Sequence, residues 1–221
     1  MERLRYLARA NDVPQQMLVE EAAAALASVA GEHHALVMAC RQMLAHHPSS
    51  GALVALAARM LTSDDPRQEA WLIVDEVHSD LSTEHLIDSF PSPSRVHLRG
   101  WSEHLDAVLA ERPDVYPTTR LEDAELLLVD AAAGGPHWLL ADRGVGSMVA
   151  EAKQHGLKCW AIAAYGSVLP KQLFDAAAAR SSECTEVLEL SDFDMVIGPD
   201  GPQRVTGRPL SSECPVAAEL A

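Results

Sequence analysis

The chain has 221 residues, of which 48% are hydrophobic and 22% are charged. This balance is ordinary for a globular protein and excludes a disordered or fibrous one. A formal net charge of −15 argues against nucleic acid or an anionic membrane surface as a partner, because both require a basic surface. No segment approaches the roughly 18 consecutive apolar residues of a membrane-spanning helix.

The residues that most often bind metals or form disulfides are scattered. The four cysteines (Cys40, Cys159, Cys184 and Cys214) form no CxxC pair, and the first residues contain no apolar secretory segment. This pattern predicts a reduced, cytoplasmic protein. The histidine pairs at 33–34 and 46–47 lack the i,i+4 spacing of a helical zinc motif and are typical of a solvated helix face, so we expect neither a metal nor a cofactor.

The first part of the chain has the periodicity of helices. Apolar residues recur at three and four positions, which predicts a helical hairpin that turns at Gly31. Pro48 to Ser50 supply a stop and a cap before a third helix over Gly51 to Leu61. A fourth helix begins at Pro66, because the first helical position has no intrahelical partner for an N–H group and proline lacks one. A short fifth helix begins at Ser82.

A proline-rich stretch, SFPSPS at 89–94, marks the end of this helical part. Beyond it the pattern favours strands at 95–100, at 115–119 and near Val187 and Met195 to Ile197, with helices at 103–111 and 170–180. We expect residues 202–221 to pack over the sheet without forming an element. The sequence therefore predicts two domains, a helical one at 1–90 and an α/β one at 95–221.

A strand–loop–helix unit at 125–156 is the centre of the second domain. Leu126 to Val129 form an apolar run typical of a strand that is buried on both faces, and two glycines follow it. A helix from Met148 ends at Gly156, and a second strand begins at Lys158. This crossover predicts an α/β fold in which the helical domain precedes a Rossmann-like parallel sheet with helices on both faces. We expect a ligand crevice at the carboxyl ends of the strands.

These segments, in this order, resemble the alpha, beta and delta subunits of translation initiation factor 2B. The related methylthioribose-1-phosphate and ribose-1,5-bisphosphate isomerases share the family's fold. The stretches that carry the resemblance are HPSSGALVALAARML, LLLVDAA with the following GG, ADRGVGS, KQHG, KCWAIAAYG and DFDMVIGPDGP. The resemblance implies binding of a phosphorylated sugar or nucleotide and pairing into a homodimer. The apolar tail from Pro215 to Leu220 suggests a further surface that a partner would cover.

The departures from the family concern the chemistry. In the isomerases a cysteine and an aspartate act as the acid/base pair, and the matching positions here are Gly100 and Ala132. The family's Asn-Lys pair appears as Asp142 and Arg143. Asp130, Asp142 and His97 are weak catalytic candidates. Asp130 is one of them because it lies on the same strand face as Ala132. The resemblance without its acid/base pair therefore indicates a protein that is not an enzyme.

Several polar residues and glycines follow the predicted strands and are candidates for holding an anion. A helix start with glycines offers backbone N–H groups to a phosphate, and arginines add charge-assisted hydrogen bonds. Each candidate also has a structural interpretation as a cap, a turn or a surface residue. The candidates are Arg99, Gly100, Trp101, Ser102, Asp130, Arg143, Gly144, Gly146, Ser147 and Tyr165.

Three functional hypotheses follow. The first is a non-catalytic, factor 2B-like protein that binds an anionic small molecule, a phosphosugar or a nucleotide, and acts by association. The second is a sugar-phosphate isomerase whose acid/base residues are rearranged. The third is a dimeric scaffold module whose crevice no longer binds a ligand.

Overall fold

Five helices form the first part of the chain in the computed structural model, which describes residues 14–99 and 102–221. The predicted site residues Gly100 and Trp101 lie outside the described residues. The helices are α1 (Gln15–Ala27), α2 (His33–His46), α3 (Gly51–Thr62), α4 (Pro66–His78) and α5 (Ser82–Ser89). No helix in the described ranges is both long and apolar enough to cross a bilayer.

The predicted caps hold the starts of α3 and α4. Ser50 accepts a hydrogen bond from the Leu53 amide at 3.4 Å, and the Asp65 carboxylate accepts from the two amides that follow Pro66. Each cap satisfies amide groups that the first turn of a helix leaves without an intrahelical partner. The starts of these helices were therefore correctly predicted from local sequence.

The second part of the chain alternates strands and helices. Its helices are α6 (Glu103–Glu111), α7 (Val145–Gln154) and α8 (Lys171–Arg180). Its strands are β1 (Ser94–Leu98), β2 (Val115–Thr118), β3 (Leu126–Asp130), β4 (Ala133–Gly134), β5 (Trp138–Asp142), β6 (Lys158–Ile162), β7 (Thr185–Glu189), β8 (Met195–Gly198) and β9 (Gly201–Arg204).

Six strands form the main sheet in the order β2-β1-β3-β6-β8-β9, and all its pairs except β8 with β9 are parallel. Strand β3 is buried on both faces. Leu127 and Val129 pack on the side of α7, while Leu126 and Leu128 pack on the side of α5 and α6. An apolar run without alternation is what such a strand requires. The predicted α/β fold with a mainly parallel sheet is confirmed.

A second, three-stranded antiparallel sheet was not predicted. Its order is β4-β5-β7, and β5 lies in the stretch that we predicted to be a loop between β3 and α7. Leu139 and Leu140 in β5 are fully buried. Strand β7, which includes Val187, was predicted as a strand, but it pairs with β5 and does not extend the main sheet.

The helical part packs directly on the sheets. The Gly51 amide at the start of α3 donates to the Ala132 carbonyl at 2.8 Å. A Cβ atom at Gly51 would lie 2.6 Å from the Ser167 carbonyl oxygen, so only glycine allows this approach. Buried residues of α1 to α4 share one core with Leu140 and Phe174. The division of the chain into two domains stays a prediction.

The C-terminal tail differs from its prediction in two ways. Residues 201–204 form β9, which pairs with β8. The end of the tail packs on the helical core, where Ala217 and Leu220 are buried. The Arg41 side chain donates to the Glu219 carbonyl at 3.0 and 3.1 Å. The apolar tail is therefore covered within the chain at Ala217 and Leu220, whereas Val216 is 44% exposed.

Candidate functional site

The carboxyl ends of β3 and β5 border a small recess that contains three of the predicted site residues. Arg99, Asp130 and Asp142 line it together with Val145 and Met148 of α7. Its volume is about 20 Å³. A space of this size holds about one water molecule. The recess therefore brings the two candidate carboxylates together, and the space enclosed between the described residues is smaller than a sugar.

Asp130 is held from the direction of α6. The Ser102 hydroxyl donates to the Asp130 carboxylate at 2.7 Å, and the same oxygen of Ser102 accepts from the Leu105 amide as the cap of α6. Burial raises the pKa of Asp130, and the neighbouring Asp142 charge acts in the same direction. His104 and the hydroxyl of Ser102 oppose this rise in the pKa. The carboxyl is thus tied to the fold and is more easily protonated than an exposed aspartate.

The glycine turn before α7, which we predicted to hold an anion, binds a carboxylate of the chain itself. One oxygen of Glu186, from β7, accepts from the Gly144 amide at 2.8 Å and from the Gly146 amide at 2.7 Å. Gly144 has φ of 94°, a left-handed conformation that glycine adopts without strain. The two amides that we expected to bind a ligand anion are thus engaged by Glu186, and binding of a ligand at this turn stays a prediction.

Arg143 is directed away from the recess. Its guanidinium donates to the backbone carbonyls of Ser182 and Glu183, which lie between α8 and β7. Ser147 is an exposed residue in the first turn of α7. Neither contacts the recess, so the structure gives both residues positions that serve the fold, and their role in binding a ligand stays a prediction.

His97, a weak catalytic candidate, lies within β1 and not at the rim of the sheet. Its side chain is 9% exposed, and its Nδ1 atom is 3.0 Å from the Thr118 carbonyl of the neighbouring strand β2. The alternation of side chains along a strand explains this position, because His97 precedes the strand end and turns to one face. The structure therefore separates His97 from Asp130 and Asp142.

A much larger cavity lies between the helices and the carboxyl ends of β6 and β8, and we call it the helix–sheet cavity. Its volume is about 420 Å³. Ligand pockets for small molecules usually measure about 300 to 1,000 Å³. The lining residues are Ala52, Ala55, Leu56, Arg59, Ile73, Glu76, Val77, Ala163, Ala164, Tyr165, Gly166, Val168, Val196, Gly198, Pro199, Asp200, Gln203, Leu210, Ser211, Ser212, Glu213 and Cys214.

Tyr165, the predicted site residue after β6, is part of a hydrogen-bonded network on the wall of this cavity. The Arg59 guanidinium donates to the Tyr165 hydroxyl at 2.8 Å and to the Glu69 carboxylate at 2.6 Å. Glu76 accepts from both Arg59 and the Tyr165 hydroxyl. The network joins α3 and α4 to the strand end, so it fixes the helices over the main sheet.

The network also changes the pKa of its members. Burial raises the pKa of Tyr165 to about 12, and the hydrogen bond to Glu76 adds to the rise. For Glu76, burial acts to raise the pKa, but the hydrogen bonds from Arg59 and Tyr165 outweigh it and the pKa falls below its usual value. The phenol therefore stays protonated and the carboxylate stays charged at neutral pH.

A smaller cavity of about 160 Å³ lies on the other side of Tyr165. Gln15, Thr83 and His104 are among the residues that line it. The His104 Nδ1 atom is 2.8 Å from the Thr83 hydroxyl, and the Asp80 carboxylate accepts from the Tyr165 amide at 2.9 Å. Tyr165 and its neighbour Ala164 border both cavities, so Tyr165 forms part of the wall between them.

Sequence reasoning missed Arg59 and Glu76 as residues of a cavity. One signal was available, because Arg59 is the only charged residue in the apolar stretch GALVALAARML. A charged side chain in a buried helix needs a partner of opposite charge. Glu69 and Glu76 are seven residues apart, which places both on one face of α4. That spacing could have suggested the pair of carboxylates as the partners of Arg59.

Comparison with known proteins finds similarity in structure only. No protein-family model matches the sequence, and no curated protein sequence matches it. Among solved structures, translation initiation factor 2B from Pyrococcus horikoshii OT3 superposes with a TM-score of 0.76 at 12% sequence identity. That match covers 93% of this chain and 97% of the other.

Two further matches represent both branches of the predicted resemblance. The tetrameric complex of factor 2B beta and delta subunits from Chaetomium thermophilum matches with a TM-score of 0.71, 13% identity and coverage of 91% of this chain and 89% of the other. The 5-methylthioribose 1-phosphate isomerase from P. horikoshii OT3 matches with a TM-score of 0.57, 13% identity and coverage of 91% and 84%. The chain therefore has the fold shared by the factor 2B subunits and this isomerase, as the sequence motifs predicted.

Proposed function

We propose that the protein is a factor 2B-like module that acts by association and does not isomerise sugar phosphates. One observation carries the second half of this proposal. The two candidate catalytic carboxylates, Asp130 and Asp142, line a recess that measures about 20 Å³ between the described residues. An acid or base must reach the proton that it transfers, within about 3 Å of the reacting atom or through one water.

Asp130 has one property of a catalytic acid, because burial raises its pKa. Burial within the fold is the cause of the raised pKa, and the hydrogen bond from Ser102 ties the carboxylate to the start of α6. The position that corresponds to the family's aspartate, Ala132, carries a methyl group, and its carbonyl accepts from the Gly51 amide. These contacts serve the docking of α3 on the sheets.

Association is supported by the fold of the chain and by exposed apolar side chains on its surface. The fold is that of subunits that assemble into a tetramer in the C. thermophilum complex. On this chain, Trp71 and Leu72 are adjacent on α4 and are 51% and 43% exposed. Adjacent exposed apolar side chains of this size are typical of protein–protein contacts. We propose a homodimer as the simplest assembly, because symmetric pairs are the commonest one.

We place the ligand site in the helix–sheet cavity. Its size suits a sugar or a nucleoside, and it lies at the carboxyl ends of parallel strands, where open α/β sheets bind their ligands. The Gly144 turn is a poorer candidate, because Glu186 already accepts from both of its amides.

All four cysteines of the chain are free, which supports a reducing, cytoplasmic location.

Light scattering at several micromolar concentrations tests the association. We expect a mass of twice the 23.8 kDa of one chain, and a fall toward that of one chain on dilution. The variant Trp71→Ser should associate more weakly if α4 contributes to the contact, while Tyr116→Ser, a change at an exposed residue of β2, serves as the matched control. A mass equal to that of one chain at every concentration would contradict the proposed association.

A further inference from the structure

We infer that the helix–sheet cavity binds an uncharged or cationic molecule with hydroxyl or amine donors, and that it discriminates against phosphorylated forms of the same molecule. This inference rests on the proposed role of the cavity as the ligand site. It names the class of ligand, which the shape of the fold leaves open.

The charges of the lining favour donors over phosphate. Among the described residues that line the cavity, Arg59 is the one cationic side chain, whereas Glu76, Asp200 and Glu213 are carboxylates. The lining therefore carries a net negative charge, and the chain as a whole carries −15. A phosphate with one or two negative charges would be repelled by these carboxylates at the short distances within one cavity.

Arg59 is already engaged. Its guanidinium donates to Glu69, Glu76 and the Tyr165 hydroxyl, so a phosphate would have to displace a carboxylate to reach it. Breaking such a pair leaves a charge without its partner in a partly buried place, which is costly. Arg59 therefore acts as a support for α3 and α4 and offers little attraction to a phosphate.

The amides at the start of α3 do not compensate for the lack of an available cationic side chain. Helix α3 begins beside the cavity at Ala52, but the Gly51 amide donates to the Ala132 carbonyl and the Leu53 amide to Ser50. Helix starts attract anions through amides that have no partner, and these two amides have one. The first turn of α3 therefore adds little to the binding of a phosphate.

Carboxylates at strand ends are instead suited to hydroxyl groups, as the acidic residue that binds ribose hydroxyls in dinucleotide sites illustrates. Asp200 and Glu213 are exposed residues at the mouth, and Gln203 adds an amide. Apolar side chains of α3 and α4, including Leu56 and Ile73, form the opposite wall. A sugar ring or a base can pack on that wall while its hydroxyl or amine groups donate to the carboxylates.

Two pairs of probes that differ only in a phosphate test the inference. Calorimetric titration should give an affinity at least about tenfold higher for glucosamine than for glucosamine 6-phosphate, and for adenosine than for adenosine monophosphate. The double variant Asp200→Asn, Glu213→Gln should weaken binding of glucosamine. It should also reduce the difference in affinity between glucosamine and glucosamine 6-phosphate. Glu189→Gln, at an exposed position of β7, should leave both affinities unchanged.

Tighter binding of the phosphorylated member of either pair would overturn the inference. Failure of all four probes to bind at millimolar concentration would overturn it as well, and with it the assignment of the ligand to this cavity. Neither result bears on the association of the chain, which light scattering measures without any ligand. The failure of this inference and the failure of the proposed association are therefore distinguishable.

Discussion

At the scale of single residues, Asp130 shows how the fold changes the chemistry of a side chain. Burial raises its pKa in the folded protein above the value of an exposed aspartate. A raised pKa means that the folded state binds the proton more tightly than the unfolded state. The contribution of Asp130 to stability is therefore fully present below the unfolded pKa, and it is lost as the pH rises through the folded pKa.

This sign gives a prediction for Asp130→Asn. The amide keeps an oxygen that can accept from Ser102 and carries no charge, so the variant should unfold at a higher temperature than the parent at neutral pH. The difference should shrink as the pH falls through the raised pKa of the folded parent, and it should vanish below the unfolded pKa of about 3.9. Thermal unfolding followed by circular dichroism across this range measures both effects. A variant that is less stable than the parent at neutral pH would contradict the account.

Glu186 is the second residue whose role is specific. Glu186→Ala removes the acceptor of the Gly144 and Gly146 amides and should lower the free energy of unfolding by about 1 kcal/mol, the usual loss for a helix cap. Glu186→Gln keeps an acceptor oxygen, so it should lower the free energy of unfolding by less than Glu186→Ala does. Urea unfolding measures the difference, with Glu189→Ala on the same strand as the control. Equal stability of the Ala and control variants would show that the amides do not need this carboxylate.

The sequence predicted some of these residue contacts and not others, for a physical reason. Ser102 was predicted as the cap of α6 because its partner, the Leu105 amide, is three residues away. Glu186 was not predicted to bind the Gly144 turn, because the two amides are about 40 residues away and its own strand, β7, pairs with β5, which was predicted as a loop. Local contacts follow from spacing, whereas this contact required the register of β5 and β7.

At the scale of elements, the contact between α3 and the sheets depends on a glycine. A Cβ atom at Gly51 would lie 2.6 Å from the Ser167 carbonyl oxygen and 3.1 Å from the Ala133 Cβ atom. Real Cβ atoms do not approach backbone so closely, so α3 would have to move. The intrinsic preference of helices for alanine over glycine, about 1 kcal/mol, acts in the opposite direction.

We expect the steric effect to prevail in Gly51→Ala, with a loss of about 1 to 3 kcal/mol in the free energy of unfolding. Gly31→Ala is the matched control, because its added Cβ would meet only Arg67 at an ordinary 3.6 Å. Urea unfolding of both variants gives the comparison. A Gly51→Ala protein as stable as the Gly31→Ala protein would show that the docking of α3 tolerates a shift.

The elements that the sequence predicted well are those with strong local patterns. Strand β3 was evident from its unbroken apolar run, and α4 from its Asp-Pro start. Strand β5 has the same length of 5 residues and an apolar core, but it follows Pro136 and His137, which favoured a loop. Its burial depends on β7, a strand more than 40 residues later, and no local pattern discloses that pairing.

At the scale of the whole molecule, the helix–sheet cavity could be predicted only in part, as a crevice at the carboxyl ends of strands that includes Tyr165. It is formed by α3 and α4, by the ends of β6 and β8, and by the tail near Cys214. Of its residues, only Tyr165 was a predicted site residue, and its partners Arg59 and Glu76 come from the helical part. The order of elements along the chain predicted the fold, but the cavity depends on how the helices sit on the sheet.

The central claim is that this fold is used here for association and not for isomerisation. Proton NMR in deuterated water, with 5-methylthioribose 1-phosphate and ribose 1,5-bisphosphate as separate substrates, tests it most directly. Isomerisation requires an acid and a base beside the sugar carbons, and positioned groups of this kind each contribute about 10² to 10⁴-fold. We predict that neither sugar is converted to a ketose and that the proton on its second carbon is retained. Ketose formation, or deuterium at that carbon, in the presence of the protein would contradict the account.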